Sequence, residues 1–394
     1  MLSQREPDDD LRDLLGAGPV PFPKQQDRAF QPWHRPRKQY VRGMQWSREI
    51  GLLIRDLRLS EGELRYLTLP GPDLLDVRHL ALTICTREEV KLKYLGFNTA
   101  ALPLADSQTE LNSAQFSVNR LANVHPDSEV FPGDFRMVGN SRSIPWQRVR
   151  RAGPFHAINI DLCGGFAGVE KPAGIPNYFA AMQALLQNQS HSSEDFVLFI
   201  TTRMDDDNVD SETLEKLNSI AQAIHDTCEE YASEFADAWG LSTKGRPIHI
   251  RQVASTAEAF MLGLTQWIVS RGIRSGLKAS VRSFMTYRTG IEPGEDDIVS
   301  LAIRFKPDPI LHDPHGLVQV VPAQVPAEER ERQQSTAIPR KVRGRVMVDK
   351  VLRSQADAFE RCVEESAMLL ASAGFDGDSY RTWVMTEGER YATA

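Results

Sequence analysis

The sequence predicts an α/β fold built on a doubly wound, mostly parallel sheet. Short apolar strands alternate with helices through the middle of the chain, and a turn-rich loop joins the last two strands directly. The 394 residues, of which 41% are hydrophobic and 25% charged, suffice for one large domain with appendages. We therefore expect a seven-stranded sheet that ends in an antiparallel hairpin.

The elements follow one another in a regular order. A helix from about Tyr40 comes first, because its apolar residues recur at i, i+3, i+4 and i+7, namely Ile50, Leu53, Ile54 and Leu57. Five strands are predicted next, at 64–71, 90–98, 128–135, 155–161 and 195–203. The helices predicted among and after them cover 73–85, 107–124, 176–189, 211–238 and 255–271. The hairpin covers 277–288 and 297–308, and a final helix covers about 346–372.

Composition divides the chain into five parts. They are an acidic, proline-rich tail (1–27), a basic aromatic arm with a helix (28–60), the α/β domain (61–309), an exposed charged linker (310–345) and a C-terminal helical appendage (346–394). The start has no signal-peptide pattern, and no run of about 18 apolar residues occurs that would suit a membrane span. We expect a cytoplasmic protein without a membrane segment.

Several functional classes are disfavoured by the sequence. The four cysteines are far apart with no C-x-x-C pair, so they read as free thiols and no metal site is expected. No P-loop motif for nucleotide hydrolysis is present. The acids in "RMDDDNVD" (203–210) are typical of a solvated loop that caps the next helix. The net charge of −7 argues against a protein coated with nucleic acid, although local charge can differ from the sum.

The arm at 28–48 is such a local exception. It carries six Lys or Arg residues and no acid, interleaved with aromatic residues. Cations beside aromatic rings suit a phosphate backbone with unstacked bases, whereas the same rings could also pack on the arm's own domain or on a partner protein. Both interpretations stay open. If the arm contacts nucleic acid or a partner protein, the candidate residues are Trp33, Arg35, Arg37, Lys38 and Arg42.

Five alternating strands and helices closed by a terminal hairpin resemble the class I S-adenosylmethionine-dependent methyltransferases over about residues 60–308. The resemblance implies a Rossmann-like sheet with strand order 3-2-1-4-5-7-6. In open sheets of this kind, ligands lie outside the carboxyl ends of the strands, near the point where the strand order reverses. The candidate site is therefore expected at that edge.

Asp161 ends the fourth predicted strand in the run "IDLCGGF", which is similar to the D-P-F-G motif of the tRNA guanine-N2 dimethyltransferases. The resemblance implies a catalytic role, in which the Asp161 carboxylate accepts a hydrogen bond from a nucleobase amine. An alternative is that Asp161 caps the following turn. Leu162 replaces the proline of that motif, which puts methylation of an amine in doubt. Acceptor contacts are implied for Gly164, Gly165, Thr202 and Arg203, the last two from the similar run "FITTRMDDD".

The cofactor implied by the resemblance is S-adenosylmethionine. The family's glycine-rich turn after the first strand is represented here by "LPGPDLLD", with Pro70 and Gly71. Asn98 stands where the family prefers an acid for the ribose hydroxyls, and Asp134 stands where it contacts the adenine amine. These four residues are the candidate cofactor contacts.

Two functional hypotheses follow from these residues. The first is a methyltransferase-like protein that acts on or binds nucleic acid. The second is a catalytically degenerate methyltransferase fold that serves as a binding or scaffold subunit of a complex. The arm "WHRPRKQYVR", with "LTLPG" and "YLGFN", also resembles methyltransferase-fold proteins found among bacterial anti-phage defence genes.

Overall fold

A single sheet of eight strands organises the chain, in the order β3-β2-β1-β4-β5-β7-β6-β8. The strands are β1 (Glu63–Thr68), β2 (Lys91–Asn98), β3 (Glu129–Pro132), β4 (Ala157–Asp161), β5 (Phe196–Arg203), β6 (Leu277–Tyr287), β7 (Ile298–Pro307) and β8 (Val346–Met347). Neighbours among β1–β5 are parallel, whereas β7 is antiparallel to both β5 and β6. The first seven strands have the order implied by the methyltransferase resemblance, and the mixed α/β architecture is confirmed.

This computed structural model describes residues 28–59, 61–99, 108–169, 172–242, 248–291, 294–308 and 325–392. The predicted tail at 1–27 and the first part of the predicted linker, up to 324, lie outside the described residues. The chain divides into two units, residues 1–30 and 31–394. Of the first unit, residues 28–30 are described, without helix or strand. The sheet and every element named here belong to the second unit.

Helices connect the strands. They are α1 (Pro36–Val41), α2 (Arg48–Leu57), α3 (Leu75–Leu82), α4 (Ile84–Arg87), α5 (Gln108–Asn119), α6 (Ile144–Ala152), α7 (Tyr178–Gln189), α8 (Ser211–Thr227), α9 (Glu229–Trp239), α10 (Ile250–Val253), α11 (Thr256–Arg274), α12 (Ala327–Ser335), α13 (Ile338–Arg343), α14 (Val348–Ser354), α15 (Ala356–Ser372) and α16 (Gly377–Ala392). A π-helical segment (Arg42–Ser47) joins α1 to α2, so the predicted first helix begins at Pro36 and is continuous to Leu57. No helix of the described residues is long and apolar enough to cross a membrane.

The core has two layers, one on each face of the sheet. Alternate residues of β5 point to opposite faces, so that Leu198 joins one buried cluster and Phe199 the other. The first cluster packs α6, α7, α8 and α11 against the sheet, and the second packs α1–α5. Each central strand is therefore buried on both sides, which explains the continuous apolar runs in the sequence.

The eighth strand corrects the expectation of seven. Met285 and Thr286 of β6 pair in parallel with Val346 and Met347 of β8. Two residues are too short for the alternating pattern that identifies a strand, so the sequence carries no signal for β8.

The exposed linker predicted at 310–345 is also wrong where it is described. Residues from Ala327 to Arg343 form α12 and α13, and Ile338 and Val342 are completely buried. Pro339 lies in the first turn of α13, where proline is tolerated because its missing N–H has no helical partner there. Charge and proline content predicted a linker. The structure instead has a helix, which Ile338 and Val342 anchor in the core at positions i and i+4.

Three further boundaries differ from the prediction. The helix predicted at 211–238 is broken at the extended residue Cys228, and Glu229 and Glu230 begin α9, where acids suit the positive end of a helix dipole. The C-terminal part is not one helix but β8 followed by α14, α15 and α16. The helix α6 was not predicted, because Val149 is its one fully buried apolar residue and no apolar period results.

A buried histidine fastens the N-terminal helical segment to α3. The Nε2 atom of His79 lies 2.8 Å from Ser47 Oγ, and its Nδ1 atom lies 3.4 Å from Gln39 Nε2. Burial, together with the nearby charge of Arg42, lowers the pKa of His79 to about 3. The folded protein therefore keeps this imidazole neutral at pH values where the unfolded chain protonates it.

We expect acid to destabilise the protein through His79. Between the ordinary histidine pKa of about 6.5 and the folded value of about 3, only the unfolded state binds the proton, so the free energy of unfolding falls as the pH falls. The slope contributed is at most about 1.4 kcal/mol per pH unit. Urea unfolding at pH 7, 6 and 5 should show a flatter dependence for His79→Asn than for the parent chain. Equal slopes in the two proteins would contradict the assignment.

Candidate functional site

The strand order reverses between β1 and β4, and the residues that follow these two strands face open space. A Cβ atom added at Gly71, after β1, or at Gly164, after β4, would meet no described atom within 4 Å. Ligands of doubly wound sheets bind at this reversal, outside the carboxyl ends of the strands. The open space and the strand ends together define the candidate site.

Asp161 forms an ion pair with Lys38 at this edge. The Lys38 Nζ atom lies 2.5 Å from Asp161 Oδ1 and 3.3 Å from the Tyr287 hydroxyl. The Lys38 side chain is 6% exposed, whereas that of Asp161 is 24% exposed. Lys38, on α1, thus places a buried ammonium at the end of the central strand β4.

Two aromatic rings complete the surroundings of the ammonium. The Lys38 Nζ atom lies 4.9 Å from the centroid of the Trp46 ring and 5.9 Å from that of Tyr287, within the range of cation–π attraction. Burial lowers the pKa of Lys38, but the charge of Asp161, the Tyr287 hydroxyl and the hydrogen bond to Asp161 together raise it by more, so the pKa lies above its ordinary value. Lys38 is therefore held charged.

A second buried cation and a second buried carboxylate adjoin this pair. Arg42 interacts electrostatically with Asp161 and Asp76, and burial lowers its pKa. Asp76 accepts hydrogen bonds from Thr68 Oγ1 at 2.5 Å and from the Tyr66 hydroxyl at 3.1 Å. The Nε atom of Arg42 has no hydrogen-bond partner within the described part of the chain. Two cations and two carboxylates therefore lie at one edge, with balanced formal charge.

The predicted cofactor residues Pro70 and Asn98 contact each other. Asn98 Nδ2 donates to the carbonyl oxygen of Pro70 at 2.7 Å, which ties the loop after β1 to the end of β2. A Cβ atom at Gly96 would lie 2.9 Å from Pro70 Cγ, so a glycine is needed there for the proline to pack on the strand. Gly71, next in the chain, is exposed. The loop is thus held in place and presents Gly71 outward.

Asp134 belongs to a neighbouring cluster after β3. Its carboxylate accepts hydrogen bonds from the backbone N–H of Arg136 at 2.8 Å and from its guanidinium Nη2 at 2.7 Å. The Arg136 guanidinium also lies 5.7 Å from the centroid of the Tyr178 ring. Sequence reasoning missed Arg136 and Tyr178, because a lone arginine two residues after an acid carries no distinctive signal.

The glycine turn after β4 is built on a close backbone approach. A Cβ atom at Gly165 would lie 2.1 Å from the carbonyl oxygen of Asn208, so no larger residue fits. Thr202 Oγ1 accepts a hydrogen bond from the N–H of Phe166 at 2.6 Å, and Arg203 forms an ion pair with Asp297 at 2.7 Å. Gly165, Thr202 and Arg203 therefore have structural roles here, and acceptor contacts by them stay a prediction.

The basic arm does not form the expected surface. Of its six cations, the four that were candidates for partner contact are buried, with Arg35 at 9% exposure and Arg37, Lys38 and Arg42 lower, whereas Arg48 is exposed. Arg37 pairs with Asp349 at 2.8 Å and donates to backbone carbonyls of Arg288 and Gly290, while Arg35 donates to that of Thr289. The arginines and the lysine therefore contact carboxylates and carbonyls of this chain, where the sequence suggested phosphates or a partner protein.

Trp33 is the exposed member of the predicted partner-binding set. Its side chain is 41% exposed, and its ring packs edge-on against His34 at 5.9 Å between centroids. Contact of Trp33 with a partner stays a prediction. The correction concerns the four cations, which the fold uses internally.

The acidic run after β5 acts as a helix cap. Asp210 accepts hydrogen bonds from the N–H of Thr213 at 3.0 Å and from its hydroxyl at 2.6 Å, which begins α8. Among the described residues, no group of three His, Cys, Asp or Glu side chains is arranged to hold a metal ion.

Comparisons with known proteins give a family match and distant similarity to solved structures. The profile of the PP_RS20740-like family matches residues 27–385. No match was found among curated proteins. Among solved structures, the 23S rRNA methyltransferase ErmE is similar, with 13% identity and a TM-score of 0.32 over 75% of this chain and 97% of that one.

We expect the two partners of the Lys38–Asp161 pair to respond unequally to substitution. Asp161→Asn leaves a buried ammonium without its counter-charge, and losing one partner of a buried pair costs about 3–5 kcal/mol. Lys38→Met should cost less, because water reaches the Asp161 carboxylate that remains. Urea unfolding of both single variants and the double variant measures this.

The double variant provides the control. It should be less destabilised than the sum of the two single variants, because the unpaired charge is removed in both partners together. The coupling free energy is the difference between the destabilisation of the double variant and the sum for the two single variants. It should be present at neutral pH and vanish as the pH rises through the raised pKa of Lys38. Strictly additive effects would show that the pair does not stabilise the fold.

Proposed function

We propose that this chain, which belongs to the PP_RS20740-like family, is a methyltransferase-like protein that binds S-adenosylmethionine and acts on nucleic acid. The observation that carries the proposal is the placement of Asp161 beside the open space at Gly71 and Gly164, where the strand order reverses. A doubly wound sheet offers its ligand site at that point.

The residues at this edge fit such a cofactor. Gly71 is exposed and has no neighbour within 4 Å of a Cβ position, so a ligand can approach the backbone closely. Asn98 and Asp134, at the ends of the next two strands, supply polar groups for hydroxyl and amine atoms. When bound, S-adenosylmethionine supplies an activated methyl group.

Asp161 would position the acceptor. Its carboxylate can accept a hydrogen bond from an acceptor amine and orient the nitrogen lone pair, a positioning effect. Lys38 competes for the same oxygen, because its ammonium lies 2.5 Å away. The acceptor must therefore either displace Lys38 or use the second oxygen of the carboxylate, which the partial exposure of Asp161 permits.

A degenerate fold that serves as a scaffold subunit is the second candidate. It is favoured by the internal engagement of the three polar candidates: Asn98 with the Pro70 carbonyl, Asp134 with Arg136, and Asp161 with Lys38. In this case the edge would be fixed structure and no cofactor would bind. A role in anti-phage defence, with partners in a complex, stays a prediction from the sequence resemblance.

Titration calorimetry with S-adenosylmethionine separates the two candidates. We expect binding to the parent chain, and we expect Gly71→Arg to weaken it about tenfold or more, since the new side chain fills the open space without a backbone clash. Gly294→Arg is the matched control, because Gly294 is also exposed and no atom of the described residues lies within 4 Å of its Cβ position. Folded protein that gives no binding signal at millimolar cofactor would leave the scaffold candidate standing and remove the first.

A further inference from the structure

A stretch of the chain between β3 and β4 is strongly basic in an acidic protein. Residues 135–160 contain five arginines and no aspartate or glutamate, whereas the whole chain has a net charge of −7. Three of these arginines lie on α6 and one just before it. This connection crosses one face of the sheet, from the edge strand β3 to β4, and Val138 and Val149 anchor it in the core on that face.

The helix α6 presents its arginines to solvent. Val149 is buried and anchors the opposite side, while Ile144 is 62% exposed. At 100° per residue, Ile144, Gln147, Arg148 and Arg151 share one face, and Arg150 borders it. Ser143 accepts a hydrogen bond from the N–H of Trp146 at 3.1 Å, so the cap fixes where this face begins.

The arginines divide into paired and unpaired groups. Arg136 is paired with Asp134 at 2.7 Å, and Arg148 with Glu129 at 3.2 Å. Arg142, Arg150 and Arg151 are exposed and form no ion pair within the described ranges. Three exposed guanidinium groups, one just before α6 and two near its end, therefore have no ionic partner among the described residues.

The direction of α6 links this surface to the candidate site. The helix must carry the chain from the carboxyl end of β3 back to the start of β4, so its first residues lie near the carboxyl edge of the sheet. Arg142 precedes α6 on that side, and Arg150 and Arg151 lie at its far end. An extended anion that runs along the helix would lead to the strand ends.

We propose that the exposed arginines of α6 and its N-terminal approach, Arg142, Arg150 and Arg151, dock the phosphate backbone of a nucleic acid. Guanidinium groups match phosphate oxygens in charge and geometry, and cations at both ends of the helix fit a repeating polyanion better than a single small ion. Ile144 adds an apolar contact between them. This deepens the nucleic-acid part of the proposed function and does not depend on cofactor binding.

The buried cations of the N-terminal arm are less suited to this role. Arg37, Lys38 and Arg42 are at most 5% exposed. Releasing them to contact phosphate would leave Asp161 and Asp349 without counter-charges, which is costly for buried groups. The exposed cations of α6 can bind phosphate without such a rearrangement.

The test is fluorescence anisotropy with labelled single-stranded RNA and DNA, measured from low to high salt without cofactor. The variant carries Arg142→Ala, Arg150→Ala and Arg151→Ala. We expect about tenfold or more weaker binding at low salt, and a log–log salt slope less steep by about 2, since each phosphate contact contributes about 0.7 for single strands. The two probes also show whether the sugar is discriminated.

The matched control removes three exposed cations from the end of α11 and from β6 and β7, toward the edge of the sheet opposite β3, with Arg274→Ala, Lys278→Ala and Lys306→Ala. It changes the net charge equally and should keep affinity and slope close to the parent values. Equal loss in both variants would overturn the proposal, because it would indicate attraction by overall charge. Polyglutamate competing as well as nucleic acid would overturn it too, in favour of an acidic protein.

Calorimetry with S-adenosylmethionine on the α6 variant keeps the two proposals distinguishable. If the α6 variant loses nucleic-acid binding but binds the cofactor as the parent chain does, the result supports the proposed nucleic-acid surface. If the parent chain binds nucleic acid through α6 but binds no cofactor, the surface stands and the methyltransferase proposal fails. No nucleic-acid binding by the parent chain overturns the surface, whatever the cofactor result.

Discussion

The ion pair between Lys38 and Asp161 is the interaction on which the arrangement of the chain depends. A buried ammonium requires a counter-charge, and the end of β4 provides one, so α1 must cross the carboxyl edge of the sheet. That crossing brings Arg42 to Asp76 and Arg37 to Asp349. Both appendages are thereby fastened to the sheet by charge, and the predicted catalytic carboxylate also serves as a counter-ion.

Much of the sheet could be predicted from the sequence because its strands are buried on both faces. A run such as 195–203 is apolar whichever face its residues point to, so it was identified within one residue at its start and correctly at its end. The open space at Gly71 and the position of Asp161 follow from the same prediction, because strand ends meet at one edge.

The contacts made by charged residues could not be predicted in this way. Residues 28–48 look like a surface because they lack acids, but their carboxylates come from positions far along the chain, such as Asp161 and Asp349. No helix was predicted at α6, and its exposed arginines carry no signal in the sequence that separates them from those of an ordinary solvated helix. The positions of charged residues in the sequence do not show which cations form ion pairs, because the tertiary fold decides which carboxylates lie next to them.

The short strand β8 pairs with part of β6, which would otherwise be an edge strand open to pairing with another chain. Beyond β8, the outer edge of β6 is occupied by side chains of the C-terminal region: Gln334 Oε1 accepts from the N–H of Ala279 at 2.5 Å, and Lys341 Nζ donates to the carbonyl of Arg282 at 3.1 Å. Unpaired strand edges are templates for aggregation. A chain that ended after β7 would expose an eleven-residue strand and would also leave the buried Arg37 without Asp349, so we expect such a chain to precipitate.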